Sequence, residues 1–332
     1  MEEIVKMINH YIYSGSSFIK KHWYLLISMG IIVIFITIYK KIESIREEGS
    51  SPPIHSLFYQ PLLKDKINWD VTFQKLHQVE VKKLILQWSK FGVVDFVKDD
   101  KWLKEILSYA QKYNIEVIVG LYGDDNYFKI LESRDSDIKL YLSTLHSENI
   151  KQAEKVYTIA KNYSSFNGYY IYDEVDDTNF IEKERQKYLK EYLQVVSNSI
   201  AKISKHPLYI SGYFSKNISP NNCAKLFSEI TQKKYTLFLQ SGIGAGLVDN
   251  NTSSIYMQTF RKEFKGEFIP LVEGFRFKGS TIEATDFTTL KREIELIKKS
   301  TNTSKLALFS LRYFLDKNLF DAYLLKYSKT NL

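Results

Sequence analysis

Residues 168–177, Gly168-Tyr-Tyr-Ile-Tyr-Asp-Glu-Val-Asp-Asp177, carry an aromatic, apolar run directly into four carboxylates within five positions. Like charges this close repel unless water, a cation or a ligand compensates. The segment therefore reads as a buried strand whose C-terminal end opens on solvent or on a site. Seven other short β-rich runs share its character: 54–60, 82–88, 115–121, 207–214, 235–241, 268–275 and 305–314. Between them the apolar spacing is helical. Trp69, Phe73, Leu76 and Val79 fall on one side of a helix, as do Trp102, Leu103, Ile106, Leu107 and Ala110. Further helices are expected at about 181–204, 220–232, 253–265, 284–299 and 318–327, with an extra loop in the long crossover 124–166.

Strands alternating with amphipathic helices are the signature of parallel βα units. Eight units in about 280 residues match the usual size of a (β/α)8 TIM barrel. An open doubly wound sheet is the other arrangement with this rhythm, but it often carries a Gly-rich phosphate turn after its first strand. The segment FYQPLLKDKINW contains none.

The stretch 23–39, WYLLISMGIIVIFITIY, holds no charge and is bracketed by Lys20-Lys21 and Lys40-Lys41. About 17–20 apolar residues suffice to span a bilayer, and Trp23, Tyr24 and Tyr39 stand where interfacial aromatics anchor such helices. The lysines that follow, in place of a small-residue cleavage site, argue against a removed signal peptide. The expected organisation is an N-terminal segment 1–22, a single transmembrane helix 23–41, a polar linker 42–53 and a barrel 54–332. Lysines on both flanks leave the orientation undecided by charge. A barrel on the extracytoplasmic side of an inner or plasma membrane is expected from function alone.

Lys+Arg 46 against Asp+Glu 38 leaves +8 spread along the chain, without the stripe or motif that nucleic-acid binding calls for. Hydrophobic residues at 44% allow a sizeable core. One cysteine, Cys223, permits no intrachain disulfide, and no CxxC or CxxH zinc spacing occurs. No cofactor and no metal are expected. Asp124-Asp125 and Asp176-Asp177 are better read as helix or loop caps than as cation ligands. Gly242-Ile-Gly244-Ala-Gly246 lacks GxGxxG spacing and reads as a loop that lets backbone approach a ligand. GxSxG is absent, against a serine hydrolase, and the metal-binding His/Asp set of a deacetylase is not found.

In a (β/α)8 enzyme the chemistry sits where strands end. Those ends carry Gln60, Gln87, Trp88, Tyr122, Tyr172, Asp173, Tyr213, Gln240, Arg312 and Tyr313, the amides, acids and aromatics that bind sugars. Glu174 and Glu273 close the fourth and seventh strands. A carboxyl pair across a cleft is what glycoside hydrolysis requires, one acting as acid on the leaving oxygen and the other attacking or activating water.

GYYIYDEVDD, LILQW, LQSGIGAG and VEGF together resemble the domain of unknown function 4434 family, (β/α)8 proteins regarded as glycoside hydrolases, over most of residues 54–315. They also resemble the larger clan of retaining glycosidases. That resemblance implies acid/base Glu174 and nucleophile Glu273. Two positions depart from the pattern: Asp173 stands where the clan usually has Asn, and Ser241 where the family commonly has Asp. The expected activity is a membrane-anchored glycosidase on a surface or exported polysaccharide, with the bilayer and polysaccharide export proteins as partners. The alternative is a non-catalytic barrel that binds glycan or a partner protein in such a system.

Overall fold

The computed structural model describes residues 52–133 and 136–327, with residues 3 and 6 apart from them. The apolar run 23–39 and most of the linker lie outside the described residues. Among those described, no helix is long and apolar enough to cross a membrane.

Eight parallel strands close into a barrel: β1 Ile54–Tyr59, β2 Lys83–Leu86, β3 Glu116–Gly120, β4 Phe166–Asp176, β5 Leu208–Tyr213, β6 Tyr235–Gln240, β7 Phe268–Glu273 and β8 Leu306–Phe309. Each strand pairs with its sequence neighbours, and β1 closes on β8 through Leu57 beside Leu308. A helix follows each strand: α1 Trp69–Gln78, α2 Lys101–Lys112, α3 Ile138–Ala160, α4 Lys183–Ile203, α5 Pro220–Thr231, α6 Asn250–Glu263, α7 Phe287–Thr301 and α8 Lys317–Tyr327. Side chains of Asn68, Asp137, Ser219, Asp249 and Asp286 cap α1, α3, α5, α6 and α7, each accepting a first-turn N–H that would otherwise lack a partner.

Period-two alternation decides what each strand residue does. One residue per strand fills the barrel interior: Phe58, Ile85, Ile118, Tyr170, Tyr209, Phe238, Leu271 and Ala307. Their neighbours, such as Leu57, Leu84, Val117, Tyr169 and Leu308, point outward and pack under the helices. Both faces are buried, which is why the strands read as nearly continuous apolar runs.

Three departures from the sequence reading concern the mouth. The eighth strand stops at Phe309, not at 314; residues Leu311–Phe314 form a helical turn, so Arg312 and Tyr313 are not strand-end residues. After β2, Lys90–Phe91 and Val94–Asp95 form a small hairpin that pairs with Tyr122–Gly123. Its turn uses Gly92 at φ 53°, a left-handed conformation that glycine adopts without steric cost. After β7, Phe275–Lys278 and Thr281–Ala284 form an antiparallel ribbon.

Candidate active site

Two residues beyond the interior layer, the same inward parity brings Gln87, Ser211, Gln240, Glu273 and Phe309 to the C-terminal mouth; Glu174 follows Tyr170 by four. Together with Phe58, Tyr170, Leu271 and Phe275 they line a cavity of about 80 Å3. Its floor is aromatic: the Phe58 ring lies 5.4 Å from Tyr170 and 4.9 Å from Phe238, both edge-on.

Glu174 is held by one oxygen. Its Oε1 accepts from Ser211 Oγ at 2.9 Å and Gln240 Nε2 at 2.8 Å. Ser211 gives its only hydrogen to Glu174, so the Tyr170 hydroxyl, 2.5 Å away, is the donor to Ser211. Oε2 makes no hydrogen bond to the described residues and is the oxygen left for a ligand. Burial pushes the Glu174 pKa up to about 7, the charge of Asp176 adding to the rise and the Ser211 and Gln240 bonds opposing it. Gln87 is 5% exposed and its Oε1 has no partner among the described residues, so a ligand hydroxyl reaching it would satisfy a buried acceptor.

Glu273 is 1% exposed and more tightly engaged. Its Oε1 accepts from Gly242 N and its Oε2 from Gly244 N, both at 3.0 Å. Ser241 Oγ stands 2.5 Å from Glu273 Oε2 and 2.6 Å from Glu293 Oε1. One hydroxyl hydrogen cannot serve both contacts, so a carboxyl proton supplies the other. Glu293 pairs with Arg276, whereas the Glu273 carboxyl has no cation beside it among the described residues, so the geometry favours the proton on Glu273. Burial, and then the Glu293 charge, push the Glu273 pKa up to about 8 against the bonds from Ser241, Gly244 and Gly242. The glycine-rich loop thus turns its N–H groups onto a carboxyl group of the protein itself. A Cβ added to Gly244 would lie 2.4 Å from Glu273 Cβ and 2.8 Å from the Phe275 carbonyl oxygen. Gly244→Ala is expected to cost about 1–3 kcal/mol by overpacking, read as a lower denaturation midpoint at unchanged slope.

Of the residues expected at the site, Gln87, Glu174, Gln240 and Glu273 line one cavity. The others do not. Asp173 has the opposite parity: it points into the helical layer, where Asn149 Nδ2 at 3.2 Å and the Tyr192 hydroxyl bond to its Oδ2, and burial raises its pKa to about 7. Trp88 is buried, with its ring 4.3 Å from Phe91 and its indole N–H on the Pro61 carbonyl, so it offers no free face. Tyr172 packs edge-on against Trp88, and the Lys90 ammonium sits over Tyr122. Tyr213 lies beside Phe128. Arg312 is exposed and reaches the Gln60 carbonyl oxygen at 3.3 Å and Asp65 at 3.4 Å, while Tyr313 packs on Phe275 at 5.4 Å. Asp176 accepts from Thr178 N and Asn179 N, and Asp177 from Ser215 N and Asn217 N, so both serve loops. Among the described residues no group of three or more His, Cys, Asp or Glu side chains is placed to hold a metal ion.

Ser211 and Phe309 escaped the sequence reading although each lies two residues beyond an interior position, so strict counting from Tyr209 and Ala307 finds them. Glu293, from α7, has no such signal.

The uncharacterized protein YbcH of Escherichia coli (strain K12) is 24% identical over 207 residues, 61% of this chain and 69% of that protein. Among solved structures, a Bacteroides thetaiotaomicron protein described as a putative alpha-L-fucosidase superposes with a TM-score of 0.62 at 17% identity, over 82% of this chain and 92% of its own. A beta-galactosidase from Bacillus circulans sp. alkalophilus superposes at 0.52 and 10% identity, over 79% of this chain and 51% of its own. At these identities the structures establish a shared (β/α)8 fold. Residues 57–318 match the family described as Domain of unknown function (DUF4434), which covers most of the barrel, and the chain belongs to that family.

Proposed function

We propose that the protein is a glycoside hydrolase, tethered to a membrane by residues 23–39, that acts on a surface or exported polysaccharide. The observation that carries this reading is that Glu174 and Glu273, from β4 and β7, line one cavity at the barrel mouth with the amides of Gln87 and Gln240. The family, and structural relatives whose names describe glycosidases, support it. Protonated Glu174, whose Oε2 makes no hydrogen bond to the described residues, gives its proton to the leaving oxygen. Ionised Glu273 attacks the anomeric carbon or activates water, and the N–H groups of Gly242 and Gly244 stabilise its charge. A cavity of about 80 Å3 is smaller than the few hundred cubic ångströms usual for ligand sites, so it receives one edge of a sugar while the rest of the polymer lies across the rim.

A second reading, a non-catalytic glycan-binding barrel, rests on the burial of Glu273 and the engagement of both its oxygens. Incubating wild type and Glu174→Gln with a panel of surface polysaccharides, with reducing-end release and binding measured in parallel, separates the two. Cleavage lost in the variant with binding kept supports the enzyme. Binding by the wild type with no cleavage of any polymer bound overturns it.

A further inference from the structure

The opposite end of the barrel, where strands begin and helices end, carries a second feature. Two adjoining cavities, about 500 and 520 Å3, lie beneath β5 to β8 and share Thr236, Phe264, Gly266 and Glu267. Six cations line them: Lys83, Lys233, Lys234, Arg261, Lys265 and Lys305. Apart from Lys83, which pairs with Glu116, none of the six is in an ion pair among the described residues. Glu267 is the only acid among the described residues that line them. Arg261, in the last turn of α6, complements the helix dipole and needs no other explanation. Lys233 and Lys234 follow the end of α5 and Lys265 the end of α6, and these three and Lys305 stand exposed in loops beyond what capping one helix end requires. His55, which lines the groove, has its pKa lowered by burial first and then by Lys305 and Lys83.

The chain also enters the barrel at this end. The Pro53 carbonyl oxygen accepts from Leu306 N at the base of the β1–β8 pair. The apolar run 23–39 ends fourteen residues before Pro53, a stretch of at most about 50 Å when fully extended.

We propose that the basal groove is a docking surface for anionic phospholipid headgroups, seating the base of the barrel on the bilayer and turning the Glu174 mouth away from it. This rests on the membrane tether proposed above. Lysines near an anionic leaflet are attracted to it, an attraction that salt screens. The aromatic and proline residues Phe264, Phe268 and Pro270 give the groove an apolar floor for the headgroup boundary.

The full-length chain, reconstituted into vesicles of phosphatidylcholine alone or with phosphatidylglycerol, is treated with an amine-reactive reagent, and each lysine's modification rate is read by mass spectrometry. Flotation of the same samples in alkaline carbonate reports the span independently. Expected is a several-fold slower reaction of Lys233, Lys234, Lys265 and Lys305 in the anionic vesicles only, reversed by high salt, while Lys64 and Lys216 at the mouth react equally in both. A Lys233→Glu/Lys234→Glu/Lys265→Glu variant is expected to lose the lipid dependence at Lys305 while still floating. Flotation with equal reactivity in both vesicles overturns the docking proposal and leaves the span standing; no flotation with either overturns both. Protection by a soluble acidic polysaccharide and not by anionic vesicles also overturns it, assigning the groove to polymer.

Discussion

Glu174→Gln is expected to lower glycan cleavage by about 10²–10⁴-fold while leaving folding and glycan binding intact. The amide oxygen of the variant accepts the same bonds that Ser211 and Gln240 now give to Oε1, so the site keeps its shape. What is lost is a proton that can be transferred to the leaving oxygen. Wild-type activity is expected to peak between pH 7 and 8. Below about 7 Glu273 holds its proton and cannot attack; above about 8 Glu174 has lost its own. Because Glu273 holds its proton more tightly than Glu174, the productive form, with the proton on Glu174 alone, is the minor of the two singly protonated states. A cleavage assay across pH 5–10 checks both points: a fall of less than about tenfold in Glu174→Gln, or a maximum near pH 5, excludes Glu174 as the acid.

Acidification from pH 8 to pH 5 is expected to raise the melting temperature, the reverse of ordinary acid destabilisation. Asp173, Glu174 and Glu273 have folded-state pKa values of about 7, 7 and 8, all raised above the values of about 4 expected unfolded. The folded chain therefore binds more protons at these carboxyls in this window, opposed in part by His55, His146 and His206, whose burial lowers their pKa. The carboxyl contribution to stability falls as pH rises from about 4 toward 8, then levels off. Three buried carboxyls together make the change on the order of several kcal/mol. Asp173→Asn isolates one of them. Its amide oxygen still accepts from Asn149 and Tyr192, so the variant is expected to match wild type at pH 5, to be more stable at pH 8, and to show a shallower slope between. Thermal melts across this range test it, and parallel curves for the two proteins refute it.

The two carboxylates next to each other in sequence show how far the chain could be read without a fold. Asp173 and Glu174 are adjacent, and only strand parity separates a residue in the cavity from one locked between Asn149 and Tyr192. The period of two was available in GYYIYDEVDD, but which parity faces inward depends on the barrel closing with Tyr170 against Phe58. Trp88 failed for a related reason. A tryptophan at a strand end looks like a sugar platform until the hairpin at 90–95, formed around Gly92, lays Phe91 across it. LFSLRYF reads as a strand running through Arg312 and Tyr313 because it is mostly apolar and aromatic, and such runs do not distinguish a strand from the helical turn that follows it.

The sequence by itself determined the repeating βα rhythm, the absence of a phosphate turn and of metal spacing, and the acid pair on the fourth and seventh strands. These are local properties: periodicity and residue type survive in any conformation of the chain. Tertiary structure decided the environment that raises the Glu273 pKa. That environment depends on Ser241 from the end of β6 and Glu293 from α7 converging on one buried carboxyl, with Arg276 paired to Glu293. It also decided the basic groove, whose lysines are separate loop residues in sequence and become one surface because every αβ loop of a parallel barrel emerges at the same end. Charge along a chain is additive, but an electrostatic field depends on distance, and only the closed barrel sets the distances.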